Sequence, residues 1–123
     1  MFTVEIDTQV PIFRVQLAGN ILVAEFDTIS DKVLSWLRTG AGSRESVLII
    51  DLTRAASLPH YMQQLRTVQG YADCTDLKWI LVVTNDKLHH LLMTIALNIA
   101  RPHVEFFGTE DQAYSFVKRS LRA

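Results

Sequence analysis

A chain of 123 residues has room for one domain and can bury about two thirds of the surface its unfolded form exposes, so no disulfide or metal staple is required. Apolar residues make up 49% and charged residues 20%, with a formal net charge of -1, which argues against a disordered chain, a membrane-embedded one, and one drawn electrostatically to phosphate backbones or acidic bilayers. Cys74 is the single cysteine and no basic stretch leading into a long apolar run opens the chain, so the expectation is one domain over residues 1–123, cytoplasmic, with no nucleic-acid partner and no membrane insertion.

In chain order, Ile12–Leu17 and Ile21–Phe26 flank Ala18-Gly19-Asn20 and predict an N-terminal β-hairpin, with Phe2–Ile6 compatible with a further strand. Asp27 or Thr28 then caps a helix whose apolar residues Ile29, Val33, Leu34, Trp36 and Leu37 recur at helical spacing up to Gly40-Ala41-Gly42-Ser43. Val47–Ile50 is a continuous apolar run ending in Asp51, as expected of a central strand covered on both faces. A loop is expected over Leu52–Leu58, with Pro59 at the first turn of a helix that carries Met62, Leu65 and Val68 inward.

Trp79–Val83 predicts the next strand, Asn85 or Asp86 the next cap, and Lys87–Ala100 the next helix, stopped ahead of Pro102. Val104–Phe107 makes the last strand. Thr109 and Gln112 have the spacing of a capping box for a final helix with Ala113, Phe116, Val117 and Leu121 as its apolar stripe. Strands alternating with helices predict an α/β fold: a mixed, mostly parallel sheet with an N-terminal β-hairpin and about four helices.

The order of these elements and four local segments resemble the STAS domain of anti-sigma-factor antagonists and sulfate-transporter tails. Those segments are Leu17–Ile21, Ser46–Thr53, Leu81–Val83 with the helix through Leu91-Leu92, and Phe106–Ala113. The resemblance covers roughly Pro11 to Val117, and it implies a regulatory module that binds a protein partner, such as a regulatory kinase or an anti-sigma-like factor, or a second copy as a homodimer. It also implies a partner surface at the loop and helix start holding Thr53, Ser57, His60 and Tyr61. Antagonists of the family carry a phosphorylated serine or threonine at that helix start, where this chain has Leu58-Pro59-His60-Tyr61-Met62. The usual phosphorylation switch is therefore not expected. A small-molecule or lipid-binding domain of the same fold is the alternative.

Catalytic and metal chemistry find little footing in the residues. Asp51 stands where a receiver domain carries its phosphorylated aspartate, but the acidic pair and the lysine that such a site needs are missing, so Asp51 is expected to anchor its loop. Asp51, Ser57 and His60 form only a chance triad, with no nucleophile elbow or glycine-rich phosphate loop nearby, and the chain is expected not to be an enzyme. His89 and His90 point about 100° apart on a helix and cannot chelate one ion as an i, i+4 pair would; with His60 and His103 they are expected to face solvent or a partner, and neither metal nor cofactor is expected. Finally, Leu88, Leu91, Leu92, Ile95, Ala96 and Ile99 form a core stripe, which leaves Met93, Leu97 and Ala100 as a second apolar line and a candidate self-association face.

Overall fold

The computed structural model describes residues 1–7, 12–39, 46–58, 77–96 and 103–121. Their elements run β1 (Phe2–Asp7), β2 (Ile12–Asn20), α1 (Val23–Thr39), β3 (Ser46–Ser57), β4 (Leu77–Val83), α2 (Lys87–Ala96), β5 (His103–Phe107) and α3 (Glu110–Leu121). The strands form one sheet in the order β1-β2-β3-β4-β5. β1 is antiparallel to β2, and every other pair is parallel. The expected mixed, mostly parallel sheet with an N-terminal hairpin is thus present, with three helices among the described residues; the expected helix after Pro59 lies outside them.

Period-two alternation sorts the strand residues onto two faces. On one, Phe13, Val15, Leu17, Leu48, Ile50, Leu52, Ile80 and Val82 pack with Ile29, Val33, Trp36 and Leu37 of α1 and Met93 of α2. On the other, Ile12, Val47, Ile49, Leu81 and Val83 pack under Ala113 and Val117 of α3. Val47, Leu48 and Ile49 have no exposed surface, which explains the unbroken apolar run at the centre of β3. Each such side chain contributes about 1.5–3 kcal/mol relative to an exposed one.

The hairpin is built from different residues than the sequence pattern suggests. Phe2–Asp7 is the partner of Ile12–Asn20, with Phe2 opposite Leu17 and Asp7 opposite Ile12, and Ile21–Phe26 is no strand. The Leu22 amide donates to Glu25 Oε1 (3.2 Å), satisfying an orphan donor at the start of α1, and Thr28 is already inside the helix with its hydroxyl donating to the Ala24 carbonyl (3.0 Å). Neither Asp27 nor Thr28 is the cap. The local pattern misled because Ile21–Phe26 is as apolar as a strand, while α1 needs only its later stripe to bury.

α2 corrects the expected division between core and surface. Met93 is buried in the core with His89 one turn before it, whereas Leu88 and Leu91 are 50% and 54% exposed. Met93 is therefore unavailable for self-association in this fold, and Leu97 and Ala100 lie outside the described residues. His89 is buried where a solvent- or partner-facing side chain was expected. The sheet core takes up Met93, and at the start of the helix Asp86 Oδ1 accepts the Leu88 and His89 amides (2.8 and 3.0 Å), the cap expected of it.

Candidate functional site

All four parallel strands present their carboxyl ends at one edge of the sheet, the usual place for function in α/β folds because helix starts and loops converge there. Two features occupy it. One is the end of β3, and the other is a cleft where β4 leads into α2.

β3 outruns its neighbour β4. The last paired residue of β4, Val83, lies opposite Asp51, while β3 continues through Ser57 alongside β2. The expected Leu52–Leu58 loop is thus strand through Ser57. Two register shifts distort this ribbon. Gln16 is opposite Asp51 but Ala18 is opposite Arg54, so Leu52 and Thr53 together face the single residue Leu17; Gly19 is opposite Ala55 but Asn20 is opposite Ser57, so Ala56 is extra. Bulges in parallel pairs are rare, and they bend a strand and re-aim its side chains. Gly19 stands at the second shift with φ +74°, a backbone conformation that suits glycine.

Local chemistry sustains the first bulge. Asp51 Oδ1 accepts both the Thr53 amide (2.9 Å) and the Thr53 hydroxyl (2.7 Å). Asp51 is buried and anchors the bend, as expected of it, while Thr53, Arg54 and Ala56 are exposed. Ser57 donates its hydroxyl to Asn20 Oδ1 (2.9 Å), tying the ribbon's two strands together. The structure thus brings Thr53 and Ser57 onto one protruding ribbon; His60 and Tyr61 lie outside the described residues.

Behind Asp51 lies a polar cluster that periodicity did not reveal. Glu110, in the first turn of α3, receives Arg14 Nε at one oxygen and Arg14 Nη2 (2.9 Å) and Gln16 Nε2 (3.2 Å) at the other. Arg14 Nη1 also donates to Glu5 Oε2 (2.6 Å) across the β1–β2 pair. The hydrogen bond from Arg14 holds the Glu110 carboxyl below its ordinary pKa against the opposing effect of burial, and the same bond raises the guanidinium's. Gln16, which donates to Glu110, lies opposite Asp51 in the β2–β3 register. The only sequence signal for this cluster was Arg14 and Gln16 alternating with core residues on an otherwise apolar strand.

At the other end of the edge, Thr84, Asn85, Asp86, Lys87 and His90 line an open cleft of about 340 Å³. The strand ends beside it are stitched by the Thr84 amide to the Phe107 carbonyl (2.9 Å) and by Asn85 Nδ2 to the Gly108 carbonyl (3.0 Å). A Cβ on Gly108 would come within 3.0 Å of Asn85 Oδ1, so glycine permits this close approach. The His90 ring lies 4.0 Å from that of Phe106. The His89 amide bond holds the Asp86 carboxyl below its ordinary pKa. His103 is exposed and paired with Glu105 (2.7 Å) at the opposite edge of the sheet, and among the described residues no three His, Cys, Asp or Glu side chains gather closely enough to hold a metal ion.

A solved structure from Shewanella loihica PV-4, an uncharacterized protein of the DUF3478 family with a SpoIIAA-like fold, superposes on 94% of this chain and 91% of its own with a TM-score of 0.66. The chain has a SpoIIAA-like fold. The likeness to STAS domains read in the sequence holds at this level, and at 15% identity the comparison speaks for the SpoIIAA-like fold alone. No family model and no curated protein matches the sequence. No helix among the described residues is long and apolar enough to cross a membrane.

Proposed function

We propose that the chain is a non-catalytic interaction module that binds a protein partner, or a second copy of itself, through the bulged end of β3. The observation that carries this reading is the ribbon of Thr53–Ser57, which projects past β4 with Thr53, Arg54 and Ala56 exposed on a backbone stiffened from beneath by Asp51. A strand end presented in this way offers both backbone groups and side chains to a partner at little ordering cost. The missing hydroxyl at Pro59-His60 supports a module without the phosphorylation switch of the antagonists, and Asp51 and Ser57 favour no catalytic role, since the carboxylate serves the bulge and the hydroxyl serves Asn20.

A photo-crosslinking residue placed at Thr53 or Arg54 in the native cell tests this. A discrete adduct from these positions, absent when the same residue replaces the exposed Ser115 of α3, is the expected result, and an adduct of twice the chain mass identifies self-association. Equal or no crosslinking at the three positions overturns it.

The cleft at Thr84–His90 favours a second reading as a small-molecule site. Its volume is at the lower end for ligand pockets, and Thr84, Asn85, Asp86, Lys87 and His90 offer it polar groups, which suits a small polar compound. Native mass spectrometry of protein purified from its own cells would reveal such a ligand, and K87A should then weaken its retention.

A further inference from the structure

We propose that two copies of the chain associate by antiparallel pairing of their β1 strands about Val4, which joins the two sheets into one. The inference goes beyond the interaction-module reading, because it uses a different surface and does not depend on the end of β3.

β1 is the outermost strand of the sheet, and among the described residues it has a strand on one side only. Which of its backbone groups are spent on β2 can be read from one pair. The Ala18 amide donates to the Met1 carbonyl (2.8 Å) and the Met1 amine to the Ala18 carbonyl (3.1 Å), so Met1 and Ala18 exchange both bonds. Exchanging and non-exchanging pairs alternate along an antiparallel ladder, and the β1–β2 register is unbroken from Phe2–Leu17 to Asp7–Ile12. Thr3 and Glu5 therefore bond inward to β2, while Phe2, Val4 and Ile6 turn their amides and carbonyls to the open edge.

Edges of this kind are usually protected by lysine, proline or a bulge, and β1 has none of them. Its remaining safeguard, the charge of Glu5, is answered within the chain by Arg14 Nη1 (2.6 Å). The same residues that offer free backbone groups are the apolar ones. Phe2 and Val4 are half-buried at the margin of the core beneath α1, and Ile6 is 50% exposed.

The strand's own sequence selects a second copy as the occupant. With the two-fold axis at Val4, Val4 faces Val4 of the second copy and Phe2 faces its Ile6, each pair exchanging amide–carbonyl bonds. Aromatic and β-branched side chains opposite one another stabilise a sheet. On the other face Glu5 falls opposite Thr3 of the second copy, so no like charges oppose one another between Phe2 and Ile6.

Sedimentation velocity on the full chain over a concentration series tests the pairing. The expected result is a reversible monomer–dimer equilibrium whose dissociation constant rises at least about tenfold in I6K, a change at an exposed position that leaves the urea midpoint in place. V4P removes an outward-facing amide without touching the bonds to β2 and should abolish the dimer. L91K, at a similarly exposed position on α2, and R54E, at the end of β3, should leave it unchanged. A chain that stays monomeric at every concentration overturns the proposal and leaves the edge to a strand of another protein. So does a dimer that survives both I6K and V4P, or one that R54E dissolves and I6K does not, which assigns self-association to the end of β3. Crosslinking at Thr53 and Arg54 judges that other surface separately, so either idea can fail alone.

Discussion

Arg14 Nη2 lies 2.9 Å from Glu110 Oε2, joining the second strand to the first turn of the last helix across 96 residues of sequence. With Arg14 Nε on the other carboxylate oxygen, the pair is a two-pronged clamp at the place where α3 begins its passage over the sheet.

The clamp makes stability depend on pH in a defined direction. Glu110 is held below its ordinary pKa of 4.5 in the folded chain, chiefly by its hydrogen bond with Arg14, so the unfolded chain takes up the proton first. Its contribution is complete above that ordinary value and is lost as pH falls through the lower folded value. E110Q should cost about 1–2 kcal/mol at pH 7. The gap between E110Q and the unaltered chain should narrow steadily in urea titrations between pH 5 and the acid limit; a gap independent of pH would show that charge plays no part.

The phase of α2 can be checked by paired truncations. Met93 is 3% exposed and should cost about 2–4 kcal/mol as M93A. Leu91, at 54% exposure, should stay within about 0.5 kcal/mol as L91A. Urea midpoints that reverse this order would mean that the helix presents its other apolar line to the sheet.

His89 offers a prediction of opposite sign. It is 3% exposed and its Nδ1 has no hydrogen-bond partner among the described residues, so the site carries a desolvation cost that an apolar side chain avoids. H89L should leave the thermal midpoint unchanged or raise it by the equivalent of about 1 kcal/mol. A marked fall would mean that the imidazole has a structural role.

Burial of whole segments was legible because it acts on composition: Val47–Ile50 and Trp79–Val83 are strands since a sheet covered on both faces selects unbroken apolar runs. The caps of α2 and α3 were legible because Asp86 and Thr109 are capping side chains, whereas Leu22 at the start of α1 is not. Asp86 does close the start of α2, and Thr109 does accept the Gln112 amide, although Gln112 Oε1 returns to the Gly108 amide (3.0 Å) in place of the cap's own. The end of β3 was not legible, because Thr53–Ser57 is polar enough for a loop and becomes strand only through pairing with Ala18–Asn20.

The sequence by itself determined the class of fold, the alternation of strands with helices, and the absence of a hydroxyl at Pro59-His60, all of which follow from local pattern. Only the tertiary structure decided that Met93 and His89 face inward while Leu88 and Leu91 do not, since two apolar lines on one helix satisfy periodicity equally and the sheet beneath selects between them. It alone also decided that Arg14 and Gln16 meet Glu110. Contacts between residues so far apart in the chain arise from the order of strands in the sheet and the path of α3 across it, which no window of neighbouring residues encodes.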